Sequence, residues 1–305
     1  MADVAASVLA KLKNKAKMSG ISYQQCLQLF FQEEFLRKLS RSMYADNFVL
    51  KGGLFIYTLT NFESRATVDI DFLMRGLHND LARMDVIISE ILAVPTGNDF
   101  ITFKATKTEP IALQRKYHGV STQVTGFIKN VRVPFSIDIG VGDVIVPHPQ
   151  KRSIQTQLNG YDKPEILTYS LESTLAEKFD AMLQRFELTS RMKDFYDIYF
   201  LSRTFDFDGR EVLCALQKTL QNRGTTYQED GFKRVLALVN DERMQVKWRH
   251  FLKTLGNPGI SFYEVMAGID VFLSPVWQSL INGEELVRKW DSSKQRWIVF
   301  DIGEK

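Results

Sequence analysis

The chain has 305 residues, enough for one large domain or two ordinary ones, and its 45% hydrophobic and 25% charged residues describe a folded globular protein, not a disordered one. A formal net charge of +3 is too small to indicate a nucleic-acid partner by itself, so any such surface must come from local clustering. The only cysteines, Cys26 and Cys214, lie far apart without a CxxC or Cys/His cluster, which argues against a disulfide framework or a zinc site and fits a reducing compartment. No run approaches the roughly 20 apolar residues of a membrane span, and the first residues lack the apolar core of a signal peptide. A cytoplasmic protein with no membrane partner is expected.

Two helices are predicted to open the chain. The first covers 4–17 and is basic. The second starts at Ser22, where Ser-Tyr-Gln-Gln reads as a capping box, and Cys26, Leu27, Phe30, Phe31, Phe35, Leu36 and Leu39 then recur at helical spacing. Asn47–Leu50 reads as a short strand running into Gly52 and Gly53, and Leu54–Leu59 as a buried helix. Over Thr67–Leu73 the residues alternate, with Val68, Ile70 and Phe72 on one face and Thr67, Asp69 and Asp71 on the other, which predicts a strand.

A helix over 78–93 and strands over 100–107 and 117–128 follow. Val131, Val133, Phe135, Ile137 and Ile139 then line one side of a further strand, with Arg132, Ser136 and Asp138 on the other. Pro147 and Pro149 mark its exit. Beyond about 165 the pattern turns helical, with helices predicted over 170–187, 190–203, 209–222, 229–239, 241–254, 261–273 and 275–290. The polar stretch Gln150–Lys163 marks a boundary, which divides the chain into an α+β domain over 1–160 and a helical domain over 161–305.

The acidic positions carry the chemistry. Asp69 and Asp71, one residue apart on a strand, project from the same face and repel each other unless a divalent cation on oxygen ligands lies between them. Gly52 and Gly53 provide a backbone that can approach phosphate oxygens closely, at the start of a helix whose first N–H groups favour an anion. Taken singly, an Asp-x-Asp is also the solvated face of many strands, and a glycine pair is most often a tight turn. Their order, with Asp138 on the outward face of a later strand, matches the two-metal arrangement of phosphoryl transfer.

Leu50-Lys51-Gly52-Gly53 followed by Arg65-x-Thr67-x-Asp69-Ile70-Asp71-Phe72 resembles the first motif of the AbiEii/AbiGii-type toxin nucleotidyltransferases, a branch of the polymerase-β superfamily. Ser136–Pro147 resembles the segment with that family's third carboxylate. Leu171–Leu183 and Arg191–Tyr199 resemble its helical signature, a lysine followed by a Lys-Asp-x-Tyr-Asp block. The resemblance spans about residues 50 to 200. It implies a mixed polymerase-β-like sheet with flanking helices and a C-terminal helical domain. It also implies a catalytic set of Asp69, Asp71, Asp138, Lys178 and Asp194, with Lys51, Gly52, Gly53, Arg65 and Thr67 toward the nucleotide. Asp69, Asp71 and Asp138 are the implied ligands of Mg²⁺, two ions being expected and Mn²⁺ an alternative.

Read without that resemblance, Lys178 is either a snorkelling lysine at the edge of an apolar helix face or an ammonium held at a polar cavity, and Asp194 either pairs with it structurally or serves a site. Asp197 is a weaker candidate, and Asp143 in Gly-Val-Gly-Asp reads as a turn residue. Basic residues recur at 11–17, 104–116, 129–132, 151–152 and 243–253, the last interleaved with Trp248; a solvated helix face is the expected reading there. The resemblance to the AbiEii/AbiGii-type family implies Mg²⁺-dependent transfer of nucleotides from an NTP to RNA, a tRNA 3′ end, by a toxin that blocks translation and has a cognate antitoxin. Nucleotidylation of a protein hydroxyl and non-catalytic binding of nucleotide or RNA are the alternatives.

Overall fold

The structure is a computed structural model, and it describes residues 3–60, 62–65, 67–111, 118–185, 191–256 and 258–299. It divides into two compact units, Met1–Gly142 with Pro149–Tyr169, and Asp143–His148 with Ser170–Lys305. Among the described residues no helix is long and apolar enough to cross a membrane.

The first unit contains helices α1 (Val4–Ser19), α2 (Tyr23–Ser40), α3 (Gly52–Leu59) and α4 (Leu81–Ala93). Its strands are β1 (Phe48–Lys51), β2 (Ile70–Met74), β3 (Thr102–Ile111), β4 (Gly119–Ile128), β5 (Val131–Gly140), β6 (Gln150–Ser153) and β7 (Glu165–Thr168). They form one mixed sheet in the order β3-β4-β5-β2-β1-β7-β6, with β2/β5 and β1/β7 parallel and the other pairs antiparallel. The Ser22 capping box forms as read, its hydroxyl accepting from Gln25 N and the Gln25 side chain accepting in return.

Alternation decides which side of the sheet is core. On β5, Val133, Phe135, Ile137 and Ile139 are buried, while Arg132 is exposed and Ser136 and Asp138 are half-buried. Helix α2 packs on the buried side so closely that a Cβ at Gly126 would stand 2.3 Å from the Phe31 ring, so no larger residue fits. Phe72 continues this layer between Phe35 and Phe48, with centroids 6.1 and 5.6 Å away.

Three expectations are corrected here. The strand expected over Thr67–Leu73 begins only at Ile70, and Val68, expected on the buried face, is 60% exposed. The cause is a competing partner: the Val68 carbonyl accepts from Gln32 Nε2 at 2.8 Å and from Gln28, both on α2, so it is turned away from a strand neighbour. The polar stretch read as a boundary supplies edge strand β6, which pairs with β7. Of the strand expected over 117–128, residue 117 lies outside the described residues, as do residues 112–116 of the basic stretch.

Helix α2 is buried on nearly every side, charges included. Glu34 pairs with Arg37 and accepts from Asn98 Nδ2 at 2.8 Å, while Arg37 Nε donates to the Asp162 carbonyl at 2.8 Å. Glu33 accepts from Gln157 N at 2.8 Å, yet stands 3.7 Å from the Arg37 guanidinium, too far for a hydrogen bond. Burial therefore prevails over the nearby positive charge and pushes the Glu33 carboxyl up to about 8.

This has a consequence for stability. The folded chain keeps the Glu33 proton up to about pH 8, whereas the unfolded chain releases it above about 4.5. The contribution is complete below the unfolded value and is lost as pH climbs through that window, at up to about 1.4 kcal/mol per pH unit. Urea unfolding between pH 5 and 8.5 is expected to show this decline in the wild type and a flatter profile in Glu33→Gln; identical profiles contradict it.

The second unit contains α5 (Leu171–Arg185), α6 (Met192–Thr204), α7 (Gly209–Arg223), α8 (Gly231–Ala237), α9 (Glu242–Thr254) and α10 (Phe262–Asn282), with short strands β8 (Phe207–Asp208), β9 (Arg288–Asp291) and β10 (Arg296–Val299). Phe179 anchors its core, edge-on to Phe232 at 5.1 Å and Trp277 at 5.8 Å. The ends of the expected helices at 186–187 and 190 lie outside the described residues.

The helices expected over 261–273 and 275–290 are one helix and a hairpin. Pro275 lies inside α10, whose apolar stripe of Ile269, Phe272, Leu273, Val276 and Trp277 continues across it and outweighs the lost backbone bond. After Gly283 the chain forms β9 and β10, held by Trp290 and Trp297 against Phe272, with centroids 4.8 and 5.6 Å away.

Candidate active site

In the first unit, β1 delivers Lys51 to the start of α3, where Gly52 adopts a left-handed φ of +69°. A Cβ at Gly52 would stand 2.1 Å from Asp71 Oδ2 and 2.7 Å from its Cγ. The Asp71 carboxylate thus rests directly on the glycine backbone, and only glycine satisfies both the dihedral and the space. At Gly53 a Cβ would stand 2.8 Å from Thr67 Oγ1 and 3.3 Å from Arg65 Nη1, so these two side chains close over the beginning of α3.

The ladder lines up the remaining groups. Lys51 pairs with Asp71 across β1 and β2, Asp71 with Asp138 across β2 and β5, and Asp138 with Ser121 across β5 and β4. Laterally paired residues project from the same face, so Lys51, Asp71, Asp138 and Ser121 form one row with steps of about 4.8 Å. Ser121 Oγ donates to Asp138 Oδ1 at 2.6 Å, and the Lys51 ammonium lies 5.0 Å from the centre of the buried Tyr169 ring. Neither Ser121 nor Tyr169 stands out in the sequence; only strand pairing reveals them.

Asp71 and Asp138 are therefore neighbours, with the glycine turn, Lys51, Arg65 and Thr67 about them. Asp69 lies in the bend before β2 and not on the strand, a correction that follows from the late start of the ladder. Among the described residues no group of three or more His, Cys, Asp or Glu side chains could hold a metal ion on protein ligands alone. That donor set still fits Mg²⁺, which commonly takes one or two carboxylates and completes its shell with water and substrate phosphate. Two carboxylates in register beside a glycine turn at a helix start meet that requirement.

The second unit places Lys178 and Asp194. Lys178 Nζ donates to Asp197 Oδ2 at 2.6 Å and to Asp194 Oδ1 at 3.2 Å, and Arg191 Nε lies 2.6 Å from Asp194 Oδ2. All three of Lys178, Asp194 and Asp197 are buried, so the lysine is not snorkelling. Burial acts to raise the Asp194 carboxyl, but Lys178 and Arg191 prevail and hold it below its ordinary value. The pairing stabilises the fold above the usual carboxylate range and is lost as acid takes the pH down through the folded-state value.

Asp143 proves to be more than a turn residue. It accepts from Arg223 Nη2 at 3.0 Å, and the same guanidinium reaches Asp180 at 3.0 Å and Glu177 at 3.2 Å. Burial works to lower the Arg223 pKa, but these carboxylates raise it above its ordinary value. Segment Asp143–His148 is thereby fastened within the second unit, a link that no local motif announces. On α9, Trp248 is buried and donates to the Ile260 carbonyl at 2.9 Å, while Arg249, His250 and Lys253 are exposed. Trp248 is core, and the charges about it form a solvated face.

A family model described as the nucleotidyl transferase AbiEii toxin of type IV toxin–antitoxin systems matches residues 34–268. No curated protein matches the chain. Among solved structures, the nucleotidyltransferase toxin MenT4 of Mycobacterium tuberculosis is 16% identical, with a TM-score of 0.51 over 89% of this chain and 98% of that one. JHP933 of Helicobacter pylori is 15% identical, with a TM-score of 0.48 over 86% of this chain and 95% of that one. The likeness to MenT4 is one of fold.

Proposed function

The chain belongs to the AbiEii family of nucleotidyl transferase toxins, and on that premise we propose that it transfers nucleotides from an NTP to RNA, with a tRNA 3′ end as acceptor and arrested translation as the outcome. The observation that carries this reading is the Asp71 carboxylate lying on Gly52 and in register with Asp138. Acidic side chains beside a glycine turn at a helix start support a place for a triphosphate and its cation over a solvated strand face. A cognate antitoxin is the expected partner, as the family's description implies.

In the reaction, the N–H groups at the start of α3 hold phosphate oxygens, while Lys51, Arg65 and Thr67 neutralise and orient them. Asp71 and Asp138 would hold Mg²⁺, which when bound supplies positive charge where negative charge develops on the phosphate oxygens. Asp138 accepts the proton of the acceptor hydroxyl. The hydroxyl oxygen bonds to the α-phosphorus as the bond from that phosphorus to the bridging β-phosphate oxygen breaks, and pyrophosphate leaves. The family resemblance gives Lys178 a catalytic role, with Asp194 as its positioning residue.

Incubation with Mg²⁺, each labelled NTP and either total RNA or total protein tests this reading. Label entering RNA is expected. Label entering protein supports nucleotidylation of a protein hydroxyl, and NTP binding without product supports a non-catalytic module; either outcome overturns the proposal. In the same assay Gly52→Ala is expected to lower transfer about 10²-fold, because its methyl must displace the Asp71 carboxylate. Stability should fall by roughly 1–3 kcal/mol through crowding and left-handed strain. Transfer by this variant within a few-fold of wild type contradicts the cradle.

A further inference from the structure

The open face of the sheet extends beyond the carboxylates. Pairing sets Phe127 of β4 opposite Arg132 of β5, and Lys104 of β3 opposite Thr125 of β4, while Ser121 of β4 faces Asp138. Positions 121, 125 and 127 share one side of β4 by alternation, so Lys104, Phe127, Arg132 and Asp138 all lie on the carboxylate face. The bulge between Ala105 and Lys107 shifts the register of β3 and brings Lys107, which pairs with Gln123, to the same face. A strict period of two assigns Lys104 and Lys107 to opposite faces, which hides the cluster in the sequence. Lys104, Lys107 and Arg132 are exposed, and Phe127 is half-buried.

From Asp138 to Arg132 is about 20 Å along β5. We propose that this strip binds the single-stranded end of the RNA acceptor, a base stacking on Phe127 and phosphates lying at Lys104 and Arg132, with the strand running on to Asp138. The inference rests on reading the carboxylates as a nucleotide-transfer site. Lysines on an edge strand also discourage sheet-to-sheet pairing, and β3 is an edge. That accounts for Lys104 and Lys107, but not for Arg132 on the interior strand β5 or for an outward phenylalanine between cations. An aromatic flanked by positive charges is the combination that holds single-stranded nucleic acid without reading its sequence.

The test is fluorescence anisotropy of a labelled single-stranded RNA against the full chain over a series of salt concentrations. The Lys104→Glu/Arg132→Glu double variant is expected to bind at least about tenfold more weakly. Its slope of log affinity against log salt should shrink by about 1.4, two phosphates at roughly 0.7 each. Phe127→Ala is expected to weaken binding about tenfold and Phe127→Trp to retain it. Binding of Mn²⁺ with a non-hydrolysable NTP should be unchanged in all of them. RNA affinity that is absent in the wild type, or indifferent to these substitutions, overturns the inference while leaving nucleotide binding as evidence for transfer. RNA bound through the strip by a protein that holds no Mn²⁺ with nucleotide sustains the strip and overturns the transfer reading instead.

Discussion

Asp71→Asn is expected to abolish nucleotide transfer, by about 10³-fold or more, while the protein stays folded. Asparagine keeps the shape that lies on Gly52 and the place in the row between Lys51 and Asp138. What it removes is a negative charge and an oxygen ligand at the point where the cation would be held. Charge stabilisation by a bound metal supplies several kcal/mol, and each 1.36 kcal/mol is a factor of ten in rate. Removing the charge relieves repulsion with Asp138 but gives up attraction to Lys51 on the other side, so unfolding in urea should occur close to the wild-type concentration. Transfer by Asp71→Asn within tenfold of wild type contradicts the assignment.

Lys178→Met is expected to cost about 3–5 kcal/mol of stability, because it takes the compensating ammonium from the buried Asp197 carboxylate and leaves Asp194 with Arg191. Loss of transfer in this variant alone therefore cannot be ascribed to chemistry. Lys178→Met combined with Asp197→Asn removes the uncompensated charge as well and should recover much of the stability. If transfer stays lost in the refolded pair, the lysine acts on the nucleotide; if it returns, the lysine only joins α5 to α6. Chemical unfolding of Lys178→Met within about 1 kcal/mol of wild type contradicts the compensating role itself.

Where side-chain periodicity and a local partner agreed, the sequence was legible. The alternation from Val131 to Ile139 shows that Asp138 points away from the core, and the Ser22 capping box marks the start of α2. Lys51-Gly52-Gly53 read as a turn into a helix, which is what the dihedral at Gly52 enforces. What escaped depended on partners remote in the chain. The start of β2 is set by Gln28 and Gln32, some 36–40 residues away, which take the Val68 carbonyl. Pro275 invites a helix break, yet the stripe on either side of it packs as one surface. The Ser121 hydrogen bond to Asp138 and the grip of Asp143 on Arg223 exist only because separate elements meet, and no spacing encodes them.

The most direct test of the central claim, that Asp71 and Asp138 hold a divalent cation for a bound NTP, is titration of Mn²⁺ followed by electron paramagnetic resonance. It compares the wild type with Asp71→Asn/Asp138→Asn, with and without a non-hydrolysable NTP. The wild type is expected to bind Mn²⁺, at least about tenfold more tightly when the nucleotide completes its shell, and the double variant to lose that binding. Equal Mn²⁺ affinity in the two proteins, with nucleotide present, contradicts the account.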